Sequence, residues 1–96
     1  MLIVTVRFAV KKEHAAAFHA RVRKQAADSL ALEADCRHFD IAASIDDSSK
    51  IFLYEIYTDE AAFQDHLHSA HFLSFKADTQ DWTESALVER WDGPWV

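Results

Sequence analysis

The stretch that decides the fold is residues 51–58, which reads IFLYEIYT. Alternate residues of a β-strand point to opposite faces of a sheet, and in this stretch both faces are apolar. One face carries Ile51, Leu53, Glu55 and Tyr57, and the other carries Phe52, Tyr54 and Ile56. Because apolar side chains favour burial, the stretch predicts a strand in a sheet that is covered on both sides.

The neighbouring elements follow from hydrophobic periodicity and from capping residues. Strand-like alternation and helix-like spacing take turns along the whole chain. The predicted order is a strand at Leu2–Val10, a helix at about 13–33, strands at 36–44 and 51–58, helical stretches capped by Thr58 or Asp59 and again by Ser69, and a strand at 84–92. This order predicts an α+β fold, a ferredoxin-like βαββαβ unit with a four-stranded antiparallel sheet and helices on one face.

The second face of this sheet needs a cover of its own. The helices can cover only one face, yet the strand at 51–58 is apolar on both, and the first strand adds Ile3 and Ala9 to the other side. A large exposed apolar patch is unusual on a monomer. The sequence therefore predicts a homodimer in which two sheets pack face to face, with a pocket between sheet and helices where packing is incomplete.

Length and composition exclude several classes of protein. The 96 residues predict one domain spanning residues 1–96. Gly93 is the only glycine, which argues against the glycine-rich loops that cradle dinucleotides and phosphates. Cys36 is the only cysteine, which excludes an internal disulfide and a cysteine-rich zinc site. Sixteen acidic and ten basic residues give a net charge of −6, which disfavours nucleic acid as a partner.

The sequence does not predict contact with a membrane. Its longest apolar run is far shorter than the roughly 18 residues of a membrane span. The first residues, MLIVTVRF, carry no basic region ahead of their apolar run, so a signal peptide is not predicted. We therefore expect a cytoplasmic protein.

Histidine is the most informative polar residue type in this chain. Three of its six histidines, His66, His68 and His71, lie close together at intervals of two, three and five residues. Zinc-binding helices place two histidines four residues apart, so this spacing does not predict a metal site. His68 is expected to be solvated, whereas His66 and His71 lie beside apolar residues. A buried imidazole that titrates near neutral pH can move protons, which makes these two the candidate catalytic residues.

Glu55 is the second unusual residue, because it lies among apolar neighbours in the middle of a strand. Ionised carboxylates are rarely buried without a partner. Two interpretations stay open: a structural pair with an arginine or histidine, or a cavity carboxylate that orients a histidine. Aromatic side chains could form the wall of such a cavity and would suit a flat aromatic ligand. Arg37 is the nearest basic residue to Cys36 in sequence, and Cys36 is expected to be a buried, unreactive thiol.

The sequence also resembles a known family. The run FLYEIYTDEAAF at 52–63, followed by His66, Ser69 and the pair His71-Phe72, is similar to the antibiotic biosynthesis monooxygenase family. Upstream, EADCRHFD at 33–40 resembles the family's Glu-Pro-Gly-Cys stretch and the strand after it, although Ala34 and Asp35 replace its proline and glycine. The resemblance covers nearly the whole chain in order, and it implies a dimeric α/β barrel.

The resemblance implies a cofactor-independent monooxygenase that acts on a small aromatic or quinol-type substrate. His66 or His71 would be the base and Glu55 the residue that orients it. The substrate-binding wall would consist of Tyr57, Phe72, Trp82 and His38. Neither a metal nor a cofactor is expected.

Two other functions remain open at the level of sequence. The Tyr-Glu-x-Tyr ending at 54–57 looks more like a family branch that isomerises a small phosphorylated signal metabolite of the autoinducer-2 phosphate type. In such an isomerase the same histidines would act as acid and base. The third possibility is a non-catalytic dimer that binds a small molecule.

Overall fold

The computed structural model describes all 96 residues and confirms the ferredoxin-like βαββαβ fold. Four strands form one antiparallel sheet in the order β2-β3-β1-β4. The elements are β1 (Leu2–Val10), α1 (Ala15–Leu32), β2 (Cys36–Ala43), β3 (Lys50–Tyr57), α2 (Glu60–Leu67), α3 (Ala70–Thr79) and β4 (Thr83–Asp92). Single 3-10 turns at Lys12–His14 and Gln80–Trp82 precede α1 and follow α3.

Two capping residues begin α2 and α3, as the sequence predicts. Asp59 caps α2, where its side chain accepts a hydrogen bond from the backbone N–H of Ala62 at 2.8 Å. Ser69 caps α3 by accepting from the N–H of Phe72 at 3.2 Å. These side chains satisfy N–H groups that have no partner within the helix. The break at Ser69 lets α3 start in a new direction, which matters for the histidines on either side of it.

The core lies between the sheet and the helices. Its strand residues all point to one side of the sheet, where they meet Phe18 and Val22 of α1 and Phe75 of α3. Strand register places one row of residues across that side, namely Phe39, Glu55, Val4 and Arg90. Glu55 therefore faces the helices from near the middle of the sheet.

A bulge in β2 changes the pattern that simple alternation predicts. The register shifts between Cys36 and His38, so that Cys36 and Phe39 are both buried in the core. His38 pairs with Ile56 and lies on the opposite side of the sheet, with its ring against Tyr54. An extra residue in one strand reverses the sides of all residues on one flank of the bulge, which alternation alone does not show.

The second side of the sheet is apolar and only partly covered. Ile3 and Thr5 are buried there, and the indole N–H of Trp91 donates to Thr5 Oγ1 at 2.9 Å. The rings and aliphatic chains of Phe52, Tyr54 and Ile56 are half-buried, whereas Leu87 and Trp91 are about half exposed. We call this side the outer face. No helix in the structure is both long enough and apolar enough to cross a membrane.

Candidate functional site

A cavity of about 700 Å³ lies between the core side of the sheet and the helices. Most of its wall is apolar and comes from β1, β3 and the two short helices, including Val4, Val6, Leu53, Phe63, Phe72 and Phe75. The remaining lining residues are polar, namely Gln25, Glu55, Gln64, His66, Lys76, Thr79, Gln80, Thr83 and Arg90. A mainly apolar cavity with convergent polar groups is typical of a small-molecule site.

Three side chains from three helix ends meet beside this cavity. Glu33 follows the last residue of α1, His66 lies near the end of α2, and His71 lies in the first turn of α3. One carboxylate oxygen, Glu33 Oε2, lies 2.8 Å from His66 Nδ1 and 2.5 Å from His71 Nε2. His71 Nε2 also lies 3.2 Å from Ser69 Oγ. The break between α2 and α3 therefore directs two histidines at the same carboxylate.

This arrangement fixes how His66 carries its proton. An ionised carboxylate can only accept hydrogen bonds, so the nitrogen of His66 that faces Glu33 must be protonated. A neutral His66 then leaves Nε2 free to accept a proton. Burial lowers the pKa of His66 despite the opposing effect of Glu33, which favours the neutral imidazole at pH 7. His66 has the tautomer and the protonation state of a general base.

Glu55 lies on the other side of the His66 ring. Its Oε1 atom is 4.0 Å from His66 Nε2 and accepts a hydrogen bond from the Tyr57 hydroxyl at 2.5 Å. Burial is the main cause that raises the pKa of Glu55 to about 7, with a smaller contribution from the charge of Glu33. The 4.0 Å gap is too long for a direct hydrogen bond, but one substrate oxygen can bridge the two groups.

Aromatic rings hold His66 in place. Phe63 stacks on the imidazole at 6.2 Å between ring centroids, and Tyr57 and Phe72 lie against it at 5.2 Å and 5.1 Å. These contacts leave His66 only 3% exposed. The base is therefore held by packing as well as by its hydrogen bond to Glu33.

The same three residues have the chemistry of a metal site. The ligand atoms of Glu33, His66 and His71 all lie within 4.8 Å of one another. Two imidazoles and one carboxylate are a set that zinc and iron(II) accept. The spacing of the histidines did not predict this grouping, because its third member comes from the end of α1. A metal here would have to displace the two protons that now link both imidazoles to Glu33.

The structure brings most of the predicted site residues together but not all of them. His66, Glu55 and Phe72 line the cavity, while Tyr57 and His71 contact the first two through hydrogen bonds or ring packing. Trp82 does not line the cavity. Its ring stacks on His14, which precedes the first residue of α1, at the end of that helix opposite to Glu33. His38 lies on the outer face, because the adjacent residue Phe39 faces the core, and its ring pairs with Asp40 at 2.6 Å.

Sequence reasoning missed several polar residues of this region, including Lys76 and Arg90, and two of them matter most for the site. Glu33 belongs to the stretch at 33–40 that resembles the family, and that resemblance was the only available signal for it. At the end of a predicted helix it reads as an ordinary solvated carboxylate. Gln25 lies on the apolar stripe of α1, and nothing in its sequence neighbours sets it apart. Burial also raises the pKa of the Cys36 thiol to about 12, in agreement with the expected unreactive cysteine.

Comparisons with known proteins place this chain in one family. The family model for antibiotic biosynthesis monooxygenase matches residues 1–78, and the chain belongs to that family. A structure described as a candidate antibiotic biosynthesis monooxygenase from Nitrosomonas europaea is 28% identical with a TM-score of 0.93, covering 99% of this chain and 100% of that one. No curated protein matches the chain significantly.

More distant structures share the fold. One described as a candidate antibiotic biosynthesis monooxygenase from Bacteroides thetaiotaomicron is 22% identical with a TM-score of 0.92, covering 99% of this chain and 90% of that one. One from Mycobacterium tuberculosis is also 22% identical, with a TM-score of 0.88, covering 97% of this chain and 92% of that one. At this level of identity the similarity concerns the fold alone.

Proposed function

We propose that this protein is a cofactor-independent monooxygenase that oxidises a small, electron-rich aromatic or quinol-type substrate. One observation carries the proposal: a buried imidazole, held by Glu33, lines an apolar cavity beside a second buried carboxylate. A hydroxyl proton must be removed before such a substrate can pass an electron to O₂. A neutral, oriented histidine in an apolar cavity suits that step.

The reaction starts with proton transfer from a substrate hydroxyl to His66 Nε2. The resulting anion gives one electron to O₂, and the radical pair combines to form a C–O bond at a ring carbon that bears hydrogen. Loss of water from this hydroperoxide leaves a ring carbonyl, with the proton on His66 returned to the departing oxygen. The substrate thus gains one oxygen atom, and the other oxygen atom leaves as water.

Glu55 and Glu33 have different roles in this scheme. Glu33 holds the imidazole and stabilises the positive charge that forms when His66 takes the proton. Glu55 also forms a hydrogen bond with that substrate oxygen across the 4.0 Å gap. It accepts this hydrogen bond when ionised and donates it when protonated. Tyr57 donates to Glu55 throughout, because burial beside that carboxyl raises the pKa of its hydroxyl far above neutrality.

An isomerase is the second candidate, and one observation favours it. Two buried titratable groups lie 4.0 Å apart in the cavity: Glu55, whose pKa burial raises to about 7, and His66, whose pKa burial lowers. Such a pair can remove a proton from one carbon of a hydroxyketone and return it to the next. Lys76 and Arg90 also line the cavity and would suit a phosphate group on the substrate. This reaction needs no oxygen.

We also infer that the working form is a homodimer joined through the outer face. The half-buried Phe52, Tyr54 and Ile56 and the half-exposed Leu87 and Trp91 are large apolar side chains on this face, where Arg7 lies between Phe52 and Leu87 and Glu89 lies between Leu87 and Trp91. A second copy of the same face would bury this surface, as in other packings of two sheets. The cavity lies on the opposite side of the sheet and stays accessible in such a dimer.

Oxygen uptake and isotope labelling test the proposal. With 1,4-dihydroxynaphthalene as substrate, we expect the protein to consume O₂ and to place one ¹⁸O atom from ¹⁸O₂ in a hydroxynaphthoquinone product. Simple oxidation to the quinone without label would contradict monooxygenation. Turnover of a phosphorylated hydroxyketone under nitrogen would support the isomerase, and the absence of both activities would leave a binding protein.

His66→Ala is the first variant to measure. Loss of a general base typically lowers the rate by about 10²- to 10⁴-fold, and we expect a loss of that size with the fold intact. His68→Ala is the matched control, because His68 is exposed and its ring contacts only the Gln64 carbonyl of its own helix, at 2.7 Å. Full activity in His66→Ala would exclude His66 as the base.

A further inference from the structure

Gln25 is the one buried amide in the cavity wall, and the fold gives it no partner. Its side chain is only 1% exposed, and neither its Nε2 nor its Oε1 atom has a hydrogen-bond partner in the protein. It projects from α1 into the cavity that His66 and Glu55 also line. Buried amides are nearly always hydrogen-bonded in folded proteins, because an unpaired one destabilises the fold. An amide left free in a cavity wall is therefore available to a ligand.

The position of Gln25 on its helix relates it to the base. Gln25, Ser29 and Glu33 follow one another at intervals of four residues and so lie on one side of α1. Glu33 at the end of this series is satisfied by His66 and His71. Gln25 lies eight residues away, about 12 Å along the helix axis at 1.5 Å per residue. Gln25 therefore reaches the cavity from a point on α1 that is well separated from Glu33, and other polar residues also contribute to the wall, namely Gln64, Lys76, Thr79, Gln80, Thr83 and Arg90.

We propose that Gln25 binds the end of the substrate that lies farthest from His66. The ligand class is an uncharged, flat molecule of about two fused rings, with a hydroxyl or carbonyl oxygen at each end. A primary amide both donates and accepts, so it recognises a hydroxyl or a carbonyl, but it offers no charge to a phosphate or carboxylate. This inference rests on the proposed function, since it takes the hydroxyl at the other end to be the one that meets His66.

Binding measured under nitrogen tests Gln25 separately from the oxygen chemistry. The probes are 2,6-dihydroxynaphthalene, which has an oxygen at each end, and 2-naphthol, which has one. We expect the native protein to bind the diol more tightly. Gln25→Met keeps the length of the side chain and removes its polar atoms, so the diol should bind about tenfold more weakly, which is about 1.4 kcal/mol. Binding of 2-naphthol should be unchanged.

The melting temperature without ligand is a second measurement. A ligand-binding role for Gln25 predicts that it rises in the variant, whereas a structural role predicts that it falls. Without ligand, Gln25→Met should melt at a higher temperature than the native protein, because it removes a buried amide that has no protein partner. Gln25→Leu provides the same comparison if the methionine variant does not fold. Ser29→Ala is the matched control: it removes another buried, unpartnered polar atom of α1 that does not line the cavity, so both affinities should stay the same.

Several results would overturn this inference. One is a Gln25→Met variant that binds both probes as the native protein does. Another is a variant that melts at a lower temperature and loses affinity for both probes equally, which would make Gln25 a structural residue. Failure of the native protein to bind the diol would also overturn it. Diol selectivity that depends on Gln25 in a protein that consumes no oxygen would reject the monooxygenase and keep the binding site.

Discussion

Glu33 joins two histidines through a single carboxylate oxygen, and the proposed chemistry depends on that contact. It determines which nitrogen of His66 is protonated and places the free nitrogen 4.0 Å from Glu55. The two carboxylates lie in the same region but in different surroundings. Glu33 accepts hydrogen bonds from two imidazoles. Glu55 accepts only from Tyr57, and burial raises its pKa to about 7. Different surroundings thus give similar residues different roles, as in other acid–base sites.

Glu33→Gln tests the orienting role. The amide can still accept a hydrogen bond, but it carries no charge and can present an N–H group to His66. We expect a loss of about 10²-fold or more in oxygen-uptake rate, since the base loses both its fixed tautomer and the stabilisation of its charged form. The melting temperature should change much less than the rate. The control is Glu13→Gln at an exposed carboxylate in the turn before α1, where both quantities should stay unchanged.

Glu55→Gln tests the surroundings of the second carboxylate through the pH dependence of stability. The folded-state pKa of Glu55 is raised from 4.5 to about 7, so its contribution to stability is complete below pH 4.5 and is lost as pH rises through 7. The loss amounts to about 3 kcal/mol, at about 1.4 kcal/mol for each pKa unit.

Melting temperatures between about pH 5 and pH 8 measure this effect. Relative to Glu55→Gln, the native protein should lose stability as pH rises across that range. His66 contributes in the opposite sense, because its lowered pKa reduces stability as pH falls below 6.5. Its contribution is common to both proteins and cancels in the comparison. Parallel curves for the two proteins would contradict the assignment.

At the scale of elements, the sequence predicts nearly everything that depends on local periodicity. The first strand has the predicted bounds, the other strands differ by one residue at one end or at both, and Asp59 and Ser69 cap the helices as expected. The bulge between Cys36 and His38 could not be predicted, because no glycine or turn residue marks it. It places Cys36 on the same side of the sheet as Phe39, and it shows that alternation is reliable only between such irregularities.

The site itself could be predicted only in part, for a physical reason. His66 and His71 are recognisable because imidazoles beside apolar residues are unusual, and Glu55 because it interrupts an apolar strand. Glu33 joins them only after α1 has packed against the sheet. That packing brings Glu33 against His66, which is 33 positions later in the sequence, and against His71, which is 38 positions later. Local patterns do not contain such contacts. The same limit applies to Gln25, whose lack of a partner is a property of the packed core.

The caps of α2 and α3 allow a matched pair of substitutions. Asp59→Ala removes one capping hydrogen bond and should lower the free energy of unfolding by about 1 kcal/mol. Ser69→Ala removes the cap of α3 and also the 2.7 Å hydrogen bond that the hydroxyl donates to the His66 carbonyl, so its loss should be at least as large. Only Ser69 also lies against His71, at 3.2 Å. We therefore expect both variants to lose stability by denaturant titration but a lower oxygen-uptake rate in Ser69→Ala alone. Equal rates in the two variants would show that His71 does not need Ser69.

At the scale of the whole molecule, the two sides of the sheet have separate tasks. The core side supports the helices and the cavity, and it supplies Glu55 and Tyr57 to the site. The outer face contributes no residue to the cavity, yet it carries several large apolar side chains. Leu87 and Trp91 of β4 are both about half exposed on this face, with Glu89 between them. Selection for solubility would favour polar residues there unless another protein surface covers them.

Leu87→Glu tests whether a second copy of this chain covers the outer face. We expect the native protein to have the mass of a dimer by light scattering at micromolar concentration. A carboxylate in the centre of an apolar interface has no partner and destabilises association by several kcal/mol, so Leu87→Glu should have the mass of a monomer. Leu32→Glu is the control, because Leu32 is 69% exposed at the end of α1 and away from the sheet. A monomeric native protein would contradict the dimer, and dissociation by Leu32→Glu instead would place the interface on the helices.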